Sequence, residues 1–212
     1  SGLIINELSA QENLALAVRE GISSVSPDII AVGGMVAEYL FIKDAISASR
    51  HFAPHTPIIL GGSILTNDRP LFEVLRPDYG VIDEGEVPIK ELLNAIEHGN
   101  PVENIENIAY WKNGVAICNT LRNANYELDD LPLPDYDVLD IESYFQLSNQ
   151  IDNYFHVRTQ KYPRIIPLSS GRSCPFKCTF CQYSTLDGSR RKYRGRTMQS
   201  VVREIVHFKN KY

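Results

Sequence analysis

The chain has 212 residues, of which 43% are hydrophobic and 22% charged, and it contains 13 glycines, 12 prolines and four cysteines. A chain of this length and composition buries roughly 70% of the surface that its unfolded form exposes, which excludes disorder and a small disulfide-stapled scaffold. The longest apolar stretch, residues 29–42, is shorter than the roughly 20 residues of a membrane helix. The first residues show no secretory signal, so we expect a cytoplasmic protein without a membrane partner.

Charge is divided unevenly along the chain. Residues 1–150 contain 23 acidic and 8 basic residues, whereas residues 151–212 contain 3 acidic and 13 basic ones. Two segments with opposite charge predict two functional units. A basic segment suits either nucleic acid or an anionic cofactor or substrate. We favour the cofactor or substrate and do not expect a nucleic-acid partner.

The acidic segment alternates between helix and strand patterns. A capping box, Ser9 with Glu12, opens a first helix that ends at Pro27. Short, wholly apolar runs are typical of strands that are buried on both faces of a parallel sheet. The predicted strands are 29–32, 57–60 and 79–82, and the further predicted helices are 39–52, 71–75 and 86–97. Short links between these elements predict right-handed crossovers and an α/β fold with a Rossmann-like parallel sheet.

Glycines follow all three predicted strands, as Gly33-Gly34, Gly61-Gly62 and Gly85. In open α/β sheets ligands bind beyond the carboxyl ends of the strands, and glycine lets a ligand approach the backbone. A tight turn without a ligand is the alternative at any one of them, but three together favour a ligand site. The sequence contains neither a dinucleotide fingerprint nor a phosphate loop, which argues against nicotinamide cofactors and nucleoside triphosphates.

A hairpin and a proline-rich segment follow. Residues 108–111 and 115–118 flank Asn113-Gly114, which predicts a type I′ hairpin at the sheet edge. The later run Leu131-Pro-Leu-Pro-Asp135 predicts an extended, stiff connector. We therefore assign the following ranges: 1–122 to an α/β domain, 123–160 to a linker and 161–212 to the start of a second domain.

Three cysteines lie close together in the basic segment. Cys174, Cys178 and Cys181 follow an apolar run at 165–168 that predicts a strand. Clusters of this kind are more often metal sites than disulfides in a reducing compartment. A structural zinc site would need a fourth ligand, His156 or His207. An iron-sulfur cluster on three thiolates would instead leave one iron open for chemistry.

The spacing C-x3-C-x2-C, with Phe180 before the third cysteine, closely resembles the signature of the radical S-adenosylmethionine enzymes. The resemblance implies a 4Fe-4S cluster on the three cysteines and S-adenosylmethionine on the open iron, with Phe180 beside the adenine. It also implies cleavage to a 5′-deoxyadenosyl radical and a reducing donor such as flavodoxin or ferredoxin. The basic segment 190–197 and the helix after it, with Val201, Ile205 and Phe208 on one face, resemble the first βα unit of the radical barrel.

The acidic segment resembles the cobalamin-binding domain that precedes this barrel in one large subgroup. The glycine pairs, the turn at 83–86, the hairpin and the proline-rich linker carry the resemblance. Gly33 and Met35 stand where related domains carry the serine and leucine of an S-x-L motif. The resemblance implies cobalamin near these residues: Gly33, Met35, Gly61, Gly62, Glu84, Gly85 and Glu86. The two glutamates also lie at a helix start, where carboxylates complement the helix dipole without any ligand.

Together these resemblances identify the chain as the N-terminal part of a methyltransferase or a cyclase that acts on an unidentified small-molecule or tetrapyrrole-like substrate. Residues 161–212 supply one βα unit of the barrel, so we expect no turnover by this chain alone and assign no catalytic residue. The alternative is a non-enzymatic module that binds cobalamin or another small ligand and carries a structural Cys3His zinc site.

Overall fold

The structure is a computed structural model that describes residues 10–121, 126–151, 164–176, 178–181 and 193–212. Contacts divide the chain into two units, Ser1–Ala124 and Asn125–Tyr212. Ser9, His156 and residues 190–192 of the basic segment lie outside the described residues. The predicted domain limits of 1–122, 123–160 and 161–212 stay predictions. No helix in the described part of the chain combines the length and apolarity needed to cross a membrane.

The first unit is built on a five-stranded sheet in the order β1-β2-β3-β4-β5. The first three strands run parallel and the last two join as an antiparallel hairpin on one side of them. The α/β fold with a parallel sheet and an edge hairpin is therefore confirmed. The strands are β1 (Ile30–Gly33), β2 (Ile58–Gly61), β3 (Tyr79–Val81), β4 (Ile108–Lys112) and β5 (Val115–Cys118).

In its described residues this unit has five α-helices, of which the first precedes β1 and the others connect strands. Four of the five were predicted. The helix after β3, for example, ends at Gly99, which lies in the left-handed region with φ 65°. The helices are α1 (Ala10–Val25), α2 (Tyr39–Phe52), α3 (Ser63–Asn67), α4 (Leu71–Leu75) and α5 (Glu86–His98). Helix α3 was not predicted from the sequence.

Both faces of the sheet are covered by apolar side chains. Ile58 and Leu60 of β2 pack with Ile42 of α2 on one face, and Ile59 packs with Leu92 of α5 on the other. These side chains are at most 2% exposed, and each stabilises the fold by about 1.5–3 kcal/mol through its burial. Burial on both faces explains why the strand sequence is apolar without alternation.

The hairpin has the predicted turn. Asn113 and Gly114 have φ values of 53° and 79°, as a type I′ turn requires. Trp111 at the end of β4 stacks on Phe72 at 5.2 Å between ring centroids, and the Arg76 guanidinium lies 4.6 Å from the centre of its ring. The hairpin is therefore fixed to the α4 side of the sheet.

The described residues of the second unit form two helices and several short elements. Its elements are two 3-10 turns (Leu128–Asp130 and Tyr136–Val138), α6 (Ile141–Ile151), β6 (Gly171–Arg172), β7 (Arg194–Gly195) and α7 (Met198–Lys211). The predicted strand at 165–168 is wrong, since no described residue pairs with this run. Pro167 lacks the N–H that a ladder needs. The antiparallel pair of β6 and β7 follows instead.

Helix α7 is confirmed, and so is the burial of Phe208 on its predicted apolar face. Val201 is half-buried, however, and Ile205 is 50% exposed, whereas Ser200 and Glu204 are buried with Phe208. The three buried residues are four positions apart and so share one face of the helix. This face is shifted from the predicted one because Glu204 pairs with Arg196 inside the unit.

Gly62 provides a test of the fold of the first unit. It has φ 86°, and a Cβ on it would lie 2.7 Å from the backbone nitrogen of Gly34. We expect Gly62→Ala to destabilise the first unit by about 2 kcal/mol or more, because a strained φ and a backbone clash add. Urea unfolding followed by the fluorescence of Trp111, the single tryptophan, measures the effect.

Gly61→Ala is the matched control, because a Cβ on Gly61 meets no atom within 4 Å. Alanine there is expected to leave stability unchanged or to raise it by up to about 1 kcal/mol, since glycine in a strand costs entropy. Equal destabilisation by both substitutions would contradict the close backbone contact at Gly62.

Candidate functional site

The carboxyl ends of β1 and β2 meet through glycine. Gly33 is paired with Gly61 in the parallel register, and the next residues, Gly34 and Gly62, bring their backbones into direct contact. A Cβ on Gly62 would lie 2.7 Å from the nitrogen and 2.8 Å from the oxygen of Gly34. The carboxyl end of the sheet at these two strands is therefore backbone without side chains, and Gly33, Gly34, Gly61 and Gly62 together form what we call the glycine edge.

Hydrogen bonds fix the turns around this edge. The oxygen of Gly34 accepts the N–H of Ile64 at 3.0 Å, and the Glu38 carboxylate accepts the N–H of Met35 at 2.7 Å. The Thr66 hydroxyl donates to the oxygen of Gly62 at 3.1 Å and accepts the N–H of Asp83 at 2.9 Å. Through Thr66, the turn after β3 is tied to the turn after β2.

The surface beside this edge is apolar and open. Met35, Leu40 and Phe41 are 58%, 70% and 58% exposed. A Cβ on Gly61 would project into space with no atom within 4 Å. Bare backbone next to exposed apolar side chains can receive a large, partly apolar ligand.

The three acidic-turn positions lie where the sequence predicts. Glu86 begins α5, where its carboxylate complements the helix dipole, and Gly85 precedes it with a right-handed helical conformation. A side chain at Gly85 would make only an ordinary contact, 3.5 Å from Val81. Neither φ nor space therefore requires glycine at this position, unlike at Gly62. Glu84 is half-buried and precedes the helix.

The seven positions of the predicted cobalamin site thus all lie at, or shortly after, the carboxyl ends of three neighbouring parallel strands. Sequence reasoning missed Thr66 and Glu38, which hold the turns. A signal for Thr66 is absent because its partners, Gly62 and Asp83, are recognisable only once β2 and β3 are paired.

The three clustered cysteines lie in the second unit and form no disulfide. Cys174 and Cys178 are exposed and Cys181 is half-buried. The N–H of Cys181 donates to the oxygen of Cys178 at 3.0 Å, which forms a turn between them. No group of three histidine, cysteine or acidic side chains is arranged to hold a metal within the part of the chain that the structure describes.

The donor set nevertheless fits a thiolate-binding metal in kind, because three thiols free of disulfides are present in eight residues. Metal sites of this type gain their geometry on binding. His207, one of the two zinc candidates, is exposed on α7 and its ring contacts Phe208 with centroids 5.4 Å apart. Phe180 is 91% exposed, so it is free to cover a bound group.

Residues 173–193, which connect β6 and β7 and carry the three cysteines, form the cysteine loop. A buried ion pair lies at the base of this loop. Glu204 is 3% exposed and accepts a hydrogen bond from Arg196. The Arg196 guanidinium also donates to the oxygen of Ser169 at 3.1 Å and to the hydroxyl of Ser200 at 2.9 Å. Removing one partner of such a pair costs about 3–5 kcal/mol. The sequence analysis did not predict this pair. Its one available signal is that Glu204 lies at the helical spacing of the apolar residues of α7.

Asp129 binds the start of α7. Both of its carboxylate oxygens accept the N–H of Thr197 at 3.2 Å, and the Thr197 hydroxyl in turn caps the helix by accepting the N–H of Ser200 at 3.2 Å. A hydrogen bond from the Thr197 side chain, followed by those from Ser200 and the Thr197 backbone and by the charge of Arg196, holds the pKa of the Asp129 carboxyl below its ordinary value of 3.8.

No protein-family model matches this chain. Sequence relatives include an uncharacterized methyltransferase of Pyrococcus horikoshii, 25% identical over 191 residues that cover 88% of this chain and 38% of the relative. Another is the anaerobic magnesium-protoporphyrin IX monomethyl ester cyclase of Rubrivivax gelatinosus, 26% identical over 205 residues that cover 94% of this chain and 33% of the cyclase.

Solved structures give the same picture. The radical S-adenosylmethionine methyltransferase TsrM of Kitasatospora setae superimposes with a TM-score of 0.64 at 17% identity, over 95% of this chain and 38% of TsrM. The cobalamin-dependent S-adenosylmethionine radical enzyme OxsB superimposes with a TM-score of 0.64 at 18% identity, over 92% of this chain and 25% of OxsB.

The resemblance to cobalamin-dependent radical S-adenosylmethionine enzymes is confirmed. The match extends over both units, and the α/β fold of the first unit is shared with these neighbours. Of the two sequence relatives, one is named as a methyltransferase and the other as a cyclase. The chain spans 38% or less of the length of each of these relatives and neighbours.

The lowered pKa of Asp129 predicts an acid-sensitive second unit. Because the folded-state pKa lies below the ordinary value, the carboxylate stabilises the fold above about pH 4, and this contribution is lost as pH falls through the lowered pKa. A carboxyl-carbon NMR titration is expected to place the midpoint of Asp129 below 3.8. Asp129→Asn should reduce the acid sensitivity. A midpoint at or above the ordinary value would contradict the contact with Thr197.

Proposed function

We propose that this chain is the cofactor-binding part of a radical S-adenosylmethionine enzyme, with a 4Fe-4S cluster and S-adenosylmethionine at the cysteine loop and cobalamin at the glycine edge. The observation that carries the proposal is the presence in one chain of three cysteines in C-x3-C-x2-C spacing, none of them in a disulfide, and a bare glycine edge on an α/β sheet. The neighbour structures support it, since TsrM was solved with cobalamin and a 4Fe-4S cluster bound.

Cys174, Cys178 and Cys181 would hold the cluster. Three protein thiolates leave one iron without a protein ligand, and that iron would bind S-adenosylmethionine, with the exposed ring of Phe180 beside the adenine. The second unit holds an excess of basic side chains, which offsets the negative charge of a thiolate-bound cluster. The zinc alternative would need a histidine as fourth ligand, and the ring of the candidate His207 contacts Phe208 on α7.

Gly33, Met35, Gly61, Gly62, Glu84, Gly85 and Glu86 would line the cobalamin site. The open space at Gly61 admits a ring close to the backbone, and the exposed apolar side chains after β1 would cover part of it. OxsB was solved with aqua-cobalamin bound, which supports the same use of the shared fold.

The whole protein would carry out methyl transfer or ring formation on a small-molecule or tetrapyrrole-like substrate. When bound, the cluster with S-adenosylmethionine supplies hydrogen abstraction and cobalamin supplies a methyl carrier or an electron store. The residues of this chain bind and orient these groups and keep water away from them. A reducing partner such as flavodoxin or ferredoxin would supply electrons to the cluster.

Metal content is the first test of the proposal. The chain is purified without oxygen and reconstituted with iron and sulfide, and iron and zinc per chain are measured with the visible spectrum. We expect about four irons per chain and the broad absorption of a thiolate-bound cluster. Cys178→Ala should abolish cluster assembly and leave the first unit folded, because the two units have separate cores.

Cys118→Ala is the matched control, since Cys118 is an exposed cysteine on β5 of the first unit and forms no disulfide. It should bind iron as the unchanged chain does. One zinc per chain without iron would overturn the cluster proposal and favour the structural-site alternative.

Cobalamin binding is the second test. Gly61→Leu places a bulky side chain at the end of β2, where a Cβ meets no atom within 4 Å, so we expect it to block cobalamin while the unit stays folded. Equilibrium dialysis with aqua-cobalamin and the circular dichroism of the protein measure the two effects. Gly21→Leu on α1, where a Cβ also meets no atom within 4 Å, is the control. Unchanged binding by Gly61→Leu would place the vitamin elsewhere. Absence of binding by the unchanged chain would exclude it.

A further inference from the structure

The cysteine loop begins after β6 and ends before β7. The chain departs through β6 and returns through β7, which pair antiparallel with Gly171 opposite Gly195 and Arg172 opposite Arg194. The N–H of Arg196 extends this pairing by donating to the oxygen of Ser170 at 2.9 Å. Cys174 lies two residues beyond Arg172, so the position of this short ladder sets where the loop begins.

The ladder is too short to hold the loop by itself. Two residues per strand form a marginal pair in water, and closing a connection of some twenty residues costs conformational entropy. A Cβ on Gly171 would lie 2.9 Å from the oxygen of Arg194, so the two strands approach closely and no side chain at this position can add packing. Other contacts must therefore stabilise the base of the loop.

Tyr126 provides contacts to both strands of the ladder. The Arg194 guanidinium lies 5.4 Å from the centre of the Tyr126 ring and donates to its backbone oxygen at 3.0 Å. Arg172 donates to the Tyr126 hydroxyl at 3.4 Å. One tyrosine thus contacts the arginines on either side of the loop, by its ring, its hydroxyl and its backbone.

Asp129 holds the returning strand from the same segment. Its carboxylate accepts the N–H of Thr197, two residues after β7, and its Oδ1 lies 3.9 Å from Arg196 Nε. Arg196 in turn reaches across to the oxygen of Ser169 on the departing side. The segment 126–129, which sequence reasoning treats as linker, therefore contacts both ends of the cysteine loop.

We propose that Tyr126 and Asp129 form a clamp that positions the cysteine loop for its cluster. The clamp consists of these two residues and their arginine partners Arg172, Arg194 and Arg196. Tyr126 and Asp129 are positioning residues: they fix the ladder, and the ladder fixes the loop that begins two residues before Cys174. By holding two arginines at the loop base, the clamp also sets the positive charge close to the cluster, which raises its reduction potential. This last step rests on the proposed function, whereas the clamp itself does not.

Hydrogen exchange of the chain without metal tests the clamp. Tyr126→Leu removes the ring and hydroxyl, and Asp129→Ala removes the carboxylate that binds Thr197. Each should increase the exchange of amides in 169–172 and 194–197 by roughly tenfold, as the loss of hydrogen bonds to charged groups predicts. Tyr126→Phe keeps the ring over Arg194 and the backbone oxygen, so it should restore most of the protection lost in Tyr126→Leu.

Asp137→Ala is the matched control. Asp137 is an exposed carboxylate of the same unit that binds Lys211 and the Tyr212 hydroxyl at the other end of α7. It should leave the exchange of 169–172 and 194–197 unchanged. Unchanged exchange in both clamp variants, or an equal increase in Asp137→Ala, overturns the clamp.

The reduction potential of the reconstituted chain tests the effect on the cluster. Tyr126→Leu should retain iron but have a more negative midpoint potential and an altered electron paramagnetic resonance spectrum, whereas Tyr126→Phe and Asp137→Ala should match the unchanged chain. Identical potentials in all four proteins would overturn the positioning role. If the unchanged chain binds no iron, the proposed function fails, and the exchange experiment still decides whether the clamp exists.

Discussion

The first unit depends on one close approach between backbones, that of Gly62 and Gly34. Because neither residue has a side chain, the turns after β1 and β2 lie against each other and end at the same level, with Gly33 opposite Gly61. The hydrogen bonds of Ile64 and Thr66 then attach the first turn of α3 and the end of β3 to this pair. A side chain at Gly62 would separate the turns and remove the flat edge that a ligand could contact.

The two units prepare their sites in different ways. In the first unit hydrogen bonds hold the turns at this edge: the Glu38 carboxylate binds within the turn after β1, and Thr66 ties the turn after β2 to the turn after β3. In the second unit the cysteines form no disulfide and no metal-holding group among the described residues, and the base of their loop is tied by the pair of β6 and β7. A preformed edge suits a large ligand that must be oriented, whereas a loop fixed at its base suits a cluster that completes its own geometry on binding.

Local signals in the sequence were enough for the elements of the first unit. The apolar runs of β1 to β3, the Asn113-Gly114 turn and the glycines after the strands each act over a few residues, and all are present in the structure. What sequence reasoning missed depends on partners far along the chain. The run at 165–168 has no pairing strand in the described residues and contains Pro167, and Glu204 is buried only because Arg196 neutralises it. Tyr126 and Asp129 lie in a segment whose composition indicates only a connector.

The contact at Gly62 has a genetic consequence. The atoms that a Cβ on Gly62 would strike are the nitrogen and oxygen of Gly34, which every amino acid possesses. No second-site substitution at position 34 can therefore suppress a side chain at 62. At Gly34 the situation is the opposite, because a Cβ there would lie 2.5 Å from the carboxylate of Glu38 and 3.1 Å from Cδ1 of Ile42. Both atoms are the far ends of side chains, which a shorter residue can replace. Substitutions at these neighbouring glycines thus fall into two classes, one that no change at its contact residue relieves and one that such a change can relieve.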